Sequence, residues 1–540
     1  MMETLDNCLY VLFGSRTGNS KAVATLAHEY AQSLGYASVL SDMQHMNFDD
    51  IKQVQYLLLI VSTHGEGEPP VQAEDFYSYL HSDSPGKLAT QYAVLGLGDS
   101  SYRYFCQTGE DLDKRLAALG GRQLMPLKKC DIDFEETAKN WILQAFESLE
   151  GQLPRLNKPR KKGFIFDLKL NDNISSAYKA ELIDKHMLTT AHSSKKVLHV
   201  SLSLKNSGIE YLPGDALGVY GTNARSMVDE LLDTLNFDKA YPVKEKDSTR
   251  LLKDLLIHDY ELTLITPLVV RNYASLVNNP KLNHLLSNKK ALENYTSESD
   301  IIDLVKDYPG KITVEQLLSV LRKLSQRLYS IASSRNAVGD RADITVKIIE
   351  NTKDGRTRHG VCSSFLWERL DVSDRVPVTL ETIAKFRLPE DDHVPIIMIA
   401  AGTGIAPYRA FLQERAARKA PGKNWLIFGE RNRNTDYLYE EELIAFKQVG
   451  YIEKINTAFS RDQKEKFYVS HLIEQSALEI IQWIQDGAIV YVCGSKDHMA
   501  VSVRQSLIKA IAQVMHLDNN AAIAYFETLK AAKQYQEEVY

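Results

Sequence analysis

The chain has 540 residues, 44% hydrophobic and 25% charged, with a formal net charge of −6. That length exceeds one core and predicts three or four modules, while the negative charge argues against nucleic acid as the main partner. Five cysteines (Cys8, Cys106, Cys130, Cys362, Cys493) stand singly without a Cys-x-x-Cys, which excludes a disulfide framework and a four-cysteine metal or iron–sulfur site built by this chain alone. An acidic start, Met1 to Asp6, predicts no signal peptide, and apolar runs such as Tyr56 to Val61 are too short to span a membrane. A soluble, cytoplasmic protein is expected.

Leu9 to Phe13 predicts a strand running into Gly14-Ser15-Arg16-Thr17-Gly18-Asn19-Ser20, followed by Ala22, Val23, Leu26, Ala27, Tyr30 and Leu34 at helical spacing. Strand, Ser/Thr/Gly loop and helix make a phosphate cradle, because hydroxyls and backbone N–H groups converge at a helix N-terminus. No Gly-x-x-x-x-Gly-Lys-Ser/Thr is present, so a terminal monophosphate is favoured over a nucleoside triphosphate. Two further strands, Tyr56 to Val61 and Ala93 to Leu97, end in Ser62-Thr63-His64-Gly65 and in Gly98-Asp99-Ser100-Ser101-Tyr102-Arg103-Tyr104-Phe105-Cys106. Three loops at the C-terminal ends of successive strands are where a doubly wound sheet binds its ligand. Their glycines admit a flavin ring, and Tyr102 or Tyr104 can stack on it. Glu66, Glu68, Glu74, Asp75, Asp99, Glu110, Asp111 and Asp113 form either a solvated face or an acidic docking patch for a basic redox partner.

Gln152 to Gly163 is polar, basic and broken by proline, and predicts a hinge. Strand patterns follow at Val197 to Leu204 and around Tyr211 to Val219, and helical periodicity then dominates from about Thr222 to Leu324, predicting an all-helical insertion. Arg327-Leu328-Tyr329-Ser330 alternates as a strand that offers a cation for a diphosphate, a flat ring and a hydroxyl within reach of a flavin nitrogen. Gly360-Val361-Cys362-Ser363 is a small-residue turn entering a helix, suited to a diphosphate, and Phe386-Arg387-Leu388-Pro389 predicts a basic strand end. Pro395 to Ile399 is a fully apolar strand leading into Gly402-Thr403-Gly404-Ile405-Ala406-Pro407, where two glycines let the backbone close on a pyrophosphate. Farther on, Ser460, Arg461 and Lys466 bring a hydroxyl and two cations to a strand end, as a 2′-phosphate requires, and Tyr468 can stack on adenine.

Arg-Leu-Tyr-Ser, Gly-Val-Cys-Ser-Ser and Phe-Arg-Leu-Pro resemble the FAD-binding set of the ferredoxin–NADP reductase superfamily, and the three N-terminal loops resemble flavodoxin FMN sites. Their order along the whole chain resembles the diflavin reductases. Leu97-Gly98-Asp99-Ser100-Ser101-Tyr102, Ser460 to Lys466 and the final Val539-Tyr540 are most similar to the flavoprotein α-component family of NADPH-dependent sulfite reductase. The fold this implies is α/β and multidomain. A flavodoxin-like doubly wound sheet (1–150) is followed by a linker (151–165). An FAD-binding antiparallel β-barrel (166–392) carries the insertion at about 222–324, and a Rossmann-like NADP-binding domain (393–540) ends the chain.

The resemblance implies FMN contacts at Ser15 to Ser20, Ser62 to Gly65, Leu97 to Cys106 and Asp131. It implies FAD contacts at Thr263, Arg327 to Ser330, Thr345, Val346, Lys347, Gly360, Val361, Cys362, Ser363 and Tyr540, the last aromatic stacking on the FAD ring and moving aside for nicotinamide. NADPH contacts fall at Gly402, Thr403, Gly404, Ser460, Arg461, Lys466, Phe467, Tyr468, Val469 and Ser470. Hydride transfer would be assisted by Ser330, Cys493 and Glu538, although relatives generally carry Asp at the last position. Asn351 stands where relatives stack a Tyr on the FAD adenine, and Ser502 where they place an Asp contact to NADP.

Electrons would pass from NADPH to FAD to FMN and on to a sirohaem/iron–sulfur β-component reducing sulfite to sulfide, for cysteine biosynthesis. No metal site is expected in this chain. The family's N-terminal extension, tied to oligomerisation, is not matched before the first strand near residue 9, which leaves the octameric state open. A stand-alone reductase for another acceptor, such as a soluble haem monooxygenase, and a flavin-binding regulator without turnover are the alternatives.

Overall fold

A computed structural model of the chain describes residues 8–64, 67–155, 164, 166, 177–245 and 248–540. Most of the predicted hinge, together with Gly65 and Glu66, lies outside the described residues. The chain divides into two compact units. The first comprises Met1–Asp172, Leu264–Ser299 and Asp303–Lys323, and the second Asn173–Thr263, Asp300–Ile302 and Leu324–Tyr540.

In the first unit a parallel sheet runs in the order Ser38–Asp42, Leu9–Gly14, Tyr56–Ser62, Gln91–Leu97, and the short strands Arg122–Gln123 and Lys128–Cys130 both pair with Gln91–Leu97. Its central strands are continuous apolar runs because both faces are covered. Leu9, Val11, Phe13, Leu58 and Ile60 pack under the helices Asn19–Ser33 and Glu135–Leu149. The alternate residues Tyr10, Leu12, Leu57, Leu59 and Val61 pack with Phe76, Leu80, Leu112 and Leu116 of the helices Glu74–His81 and Gln107–Ala118. Strand order reverses beside Leu9–Gly14, so the loops after that strand and after Tyr56–Ser62 open at the switch point. Helices Pro267–Leu276, Pro280–Ser287, Lys289–Glu298 and Val314–Val320 complete this unit, and the caps Thr266, Asn279, Asn288 and Thr313 each accept a backbone N–H.

Six antiparallel strands form the barrel of the second unit, in the order Arg327–Ser330, Ala216–Val219, Arg375–Glu381, Tyr178–Met187, Val197–Ser203, Arg341–Lys347. A bridge between Ile331 and Ile344 brings the two end strands together. Leu182, Leu198, Val200, Leu217, Ile344, Val376 and Val378 fill it, with Phe365 and Leu366 of the helix Val361–Glu368 against them.

Two expectations need correction. The insertion is not all-helical, because Pro242–Lys244 and Thr249–Leu251 pair as an antiparallel hairpin between the helices Arg225–Leu235 and Leu252–His258. Pro242, which cannot donate to a helical ladder, breaks the period there. Phe386 to Pro389 is not a strand end either: the preceding strand stops at Glu381, Phe386 is buried, and the Arg387 guanidinium pairs with the buried Asp215 carboxylate.

The rest of the second unit is a parallel sheet ordered Lys454–Phe459, Asn424–Glu430, Ile396–Ala401, Ile489–Gly494, Tyr535–Val539. Ile397 and Ile399 face one apolar core and Ile396, Met398 and Ala400 the other. The switch point lies between Ile396–Ala401 and Ile489–Gly494, which is where the Gly402–Ile405 turn and Cys493 meet.

Candidate active site

The first loop leaves its strand at Gly14 and enters a helix at Asn19 through Gly18, whose φ of 90° suits glycine and which offers no side-chain cap. Ser15 Oγ accepts from the Ser20 N–H at 3.1 Å. The Ser20 hydroxyl is buried without a hydrogen-bond partner. An uncapped helix start with an orphaned hydroxyl fits the phosphate of a flavin mononucleotide. Arg16 is hydrogen-bonded to the His64 ring, joining the first loop to the second. Thr63 accepts the Thr108 N–H at 3.2 Å.

In the third loop Asp99 Oδ1 accepts from the Ser101 N–H at 2.8 Å, and Asp131 Oδ1 accepts from the Ser100 N–H at 2.9 Å. Tyr102 is 49% exposed, Arg103 lies over the Tyr104 ring at 5.5 Å, and Leu97 and Cys106 are buried, the thiol donating to the Gly96 carbonyl at 3.3 Å. Sequence reasoning missed Arg322. This buried guanidinium, at the end of the insertion, pairs with Asp99 and donates to Asp131 Oδ1 at 3.3 Å. Several residues of the expected acidic patch are engaged within the unit. Glu110 pairs with Lys129 and Lys114, Asp111 accepts from Tyr77 and Gln107, and Asp99 holds Arg322.

Around the barrel strand, Glu261 ties two predicted residues together. Arg327 Nη2 donates to Glu261 Oε2 at 2.8 Å, and Thr263 donates to Oε1 through both N–H and hydroxyl, each at 2.8 Å. The helix Val361–Glu368 starts at Gly360 without a side-chain cap, so its first N–H groups are available to a diphosphate. Cys362 is buried there, its thiol pushed up to about 11 by burial. Ser363 Oγ accepts the Ile349 N–H at 3.2 Å. Thr345 and Val346 are buried, the Thr345 hydroxyl bonded to Tyr439 at 2.8 Å, whereas Lys347 and Asn351 are exposed.

The barrel edge and the C-terminal parallel sheet meet at the Glu538 carboxylate. Parallel pairing sets Cys493 opposite Glu538. Ser330 Oγ donates to Glu538 Oε1 at 3.0 Å, and Cys493 Sγ lies 4.0 Å from Oε2. The longer Glu chain therefore still reaches the barrel serine. Cys493 is wholly buried, and burial, followed by the Glu538 charge, holds its thiol well above the ordinary range, so it acts as a neutral S–H.

Gly404 packs so closely that a Cβ would stand 2.2 Å from the Cys493 carbonyl oxygen. Tyr540 is 56% exposed, its hydroxyl 2.6 Å from Thr403 Oγ1 and its N–H bonded to the Gly494 carbonyl at 3.1 Å. Ser460 follows directly on the strand Lys454–Phe459. Arg461, Lys466 and Tyr468 are exposed, Phe467 and Ser470 are partly covered, and Val469 is buried. Lys195, paired with Glu430 beside Gly402, was not foreseen.

A flavodoxin-type sheet in the first unit, and in the second a barrel and a parallel sheet that share one Ser–Glu–Cys cluster, define a two-flavin, nicotinamide-dependent reductase. Family models match accordingly: Flavodoxin over residues 11–142, FAD binding domain over 171–365, and Oxidoreductase NAD-binding domain over 398–505. The sulfite reductase [NADPH] flavoprotein alpha-component of Bacillus subtilis (strain 168) is 38% identical over 98% of this chain and 89% of its own length. Those of Vibrio cholerae El Tor and Mannheimia succiniciproducens are also 38% identical over 98% of this chain, covering 87% and 89% of theirs. The chain belongs to the sulfite reductase flavoprotein alpha-component family, and is an oxidoreductase using FMN, FAD and NADPH. Among the described residues no helix is long and apolar enough to cross a membrane.

Proposed function

We propose that this chain delivers electrons from NADPH, through FAD and then FMN, to a haemoprotein β-component that reduces sulfite to sulfide in the cytoplasm. The observation that carries this reading is the cluster of Ser330, Glu538 and Cys493, in which a barrel residue and two nucleotide-sheet residues share one carboxylate. FAD held by the barrel would supply the acceptor for a hydride, an electron pair, and FMN held by the first unit would supply the carrier that passes electrons on singly.

The remaining chemistry belongs to the chain. Ser330 presents a hydroxyl oriented by Glu538. Cys493, kept neutral, packs its S–H beside the same carboxylate and shapes the nicotinamide pocket. Tyr540 covers the barrel side, its backbone held by Gly494 and Lys496 while the exposed ring, bonded through its hydroxyl to Thr403, moves off when nicotinamide enters. Arg327 and the start of the helix at Val361 hold the FAD diphosphate, Ser15 to Ser20 the FMN phosphate, Gly402 to Gly404 the NADPH pyrophosphate, and Ser460, Arg461 and Lys466 the 2′-phosphate. The domains are assigned as 1–150, 166–392 and 393–540, with 151–165 as the linker.

The test is NADPH oxidation against sulfite by the purified chain, alone and with a sirohaem β-component, with a cytochrome as dye control. Sulfide formed only in the mixture is the expected result. Fast dye reduction without sulfide would instead point to another acceptor, such as a haem monooxygenase.

A further inference from the structure

The helix Ala406–Ala417 leaves directly from the Gly402–Ile405 turn, and Arg409, Gln413 and Glu414 on it are buried, which is rare for such side chains unless paired. All three reach the segment that follows Ser330. Arg409 Nη1 donates to the Ala332 carbonyl at 2.7 Å and to Asp343 Oδ2 at 2.9 Å. The Ser334 N–H donates to Gln413 Oε1 at 3.0 Å, and the Ser334 hydroxyl donates to Glu414. Between them, Ser333 Oγ accepts the Asp343 N–H at 2.9 Å and bonds to the Tyr211 hydroxyl at 2.9 Å. Arg409 Nε donates to Glu442 at 2.6 Å, so one rigid planar guanidinium reaches Ala332, Asp343 and Glu442 together, a spread of donors that the compact ammonium of a lysine does not reproduce.

Ala332 is two residues past Ser330, roughly 7 Å of extended chain. We infer that Arg409 is a positioning residue for hydride transfer, clamping the end of the Ser330 strand to the helix that carries the nucleotide turn. This rests on the proposed NADPH-to-FAD reading. Near-attack geometry gives the inference its kinetic content, because displacement of about 1 Å can slow a transfer on the order of a hundredfold.

The experiment compares full-length, flavin-loaded wild type with Arg409→Lys and Ser334→Ala, the latter removing only the Glu414 bond if the former folds poorly. Rapid mixing with NADPH and with its C4-deuterated form gives the FAD reduction rate and isotope effect. Amide exchange over 331–334 without nucleotide reads the clamp independently. Expected for Arg409→Lys are unchanged flavin content, NADPH affinity within about threefold, reduction slowed roughly tenfold or more with a larger isotope effect, and faster exchange at 331–334. Ser334→Ala should shift the same way by less. Faster exchange with unaltered rate and isotope effect would overturn the inference and leave Arg409 a purely structural residue, as would a rate loss accounted for by lost FAD or NADPH binding. A wild type that NADPH does not reduce would instead sink the functional reading.

Discussion

Glu538 shows how a single methylene is absorbed by register. Its Cα is fixed opposite Cys493 by the sheet, so side-chain length alone decides whether the carboxylate meets Ser330, as it does at 3.0 Å. Glu538→Asp should draw the carboxylate back by about 1.5 Å, break that bond and lower the NADPH-driven FAD reduction rate roughly tenfold, with FAD content unchanged. Stopped-flow reduction measures this, and an unaltered rate would remove Glu538 from the mechanism.

His199 offers a second residue-scale prediction. Burial pushes its imidazole down to about 4 from 6.5, with Arg409 and His186 acting in the same direction and Asp343 and Asp184 opposing. Above 6.5 both folded and unfolded chains hold it neutral; below, only the unfolded chain takes the proton. Stability of the second unit should therefore fall as pH drops from about 6.5 towards 4, by about 2–3 kcal/mol from this group. His199→Gln should remove that component in denaturant titrations at pH 7.5 and 5 (roughly neutral and mildly acidic). Ser330 and Cys493 sit in contiguous motifs, so the sequence marks them as candidates, and the structure brings both to Glu538. Arg409 and Arg322 are not so marked, because their partners Asp343, Asp99 and Asp131 lie far along the chain and only folding brings them together.

Between elements, two contacts set the shape of the loops. Gly404 lies against the end of the strand Ile489–Gly494, where any Cβ would meet the Cys493 carbonyl. Gly404→Ala should force the turn away and weaken NADPH binding at least tenfold, read by titration, while FAD content is retained. Arg322 holds the third flavodoxin loop through Asp99 and Asp131, and breaking a buried ion pair from one side typically costs about 3–5 kcal/mol. Arg322→Ala should lower the first unit's unfolding midpoint and loosen FMN; unchanged FMN affinity would reduce the contact to scaffold.

The parallel strands were legible because both-face burial writes itself as unbroken apolar runs, as in Leu57 to Val61 and Ile396 to Ala400. The hairpin Pro242–Lys244 and Thr249–Leu251 was hidden, since three-residue strands carry too little alternation to compete with the flanking helical period. Phe386 to Pro389 misled for the opposite reason: a motif matched while the backbone there turns to let Arg387 meet Asp215.

For the whole molecule, the division of labour follows from where the residues fall. Every residue proposed for hydride transfer (Ser330, Cys493, Glu538 and Tyr540), with the proposed clamp at Arg409, belongs to the second unit, whereas Ser20, Thr63, Gly98 and Arg322 belong to the first. Entry of the electron pair should then be separable from its delivery in single steps. The orphaned Ser20 hydroxyl supplies the means, because replacing it removes the proposed phosphate partner without disturbing packing in the second unit. Ser20→Ala should weaken FMN binding about tenfold, the worth of one hydrogen bond to a charged group. Dialysed to loss of FMN, the protein should keep a wild-type rate of FAD reduction by NADPH and yet support no sulfide formation with a β-component until FMN is restored. Sulfide produced at full rate without FMN would mean that electrons leave directly from the second unit, and loss of FAD reduction together with FMN would mean that the two units do not act independently in the hydride step.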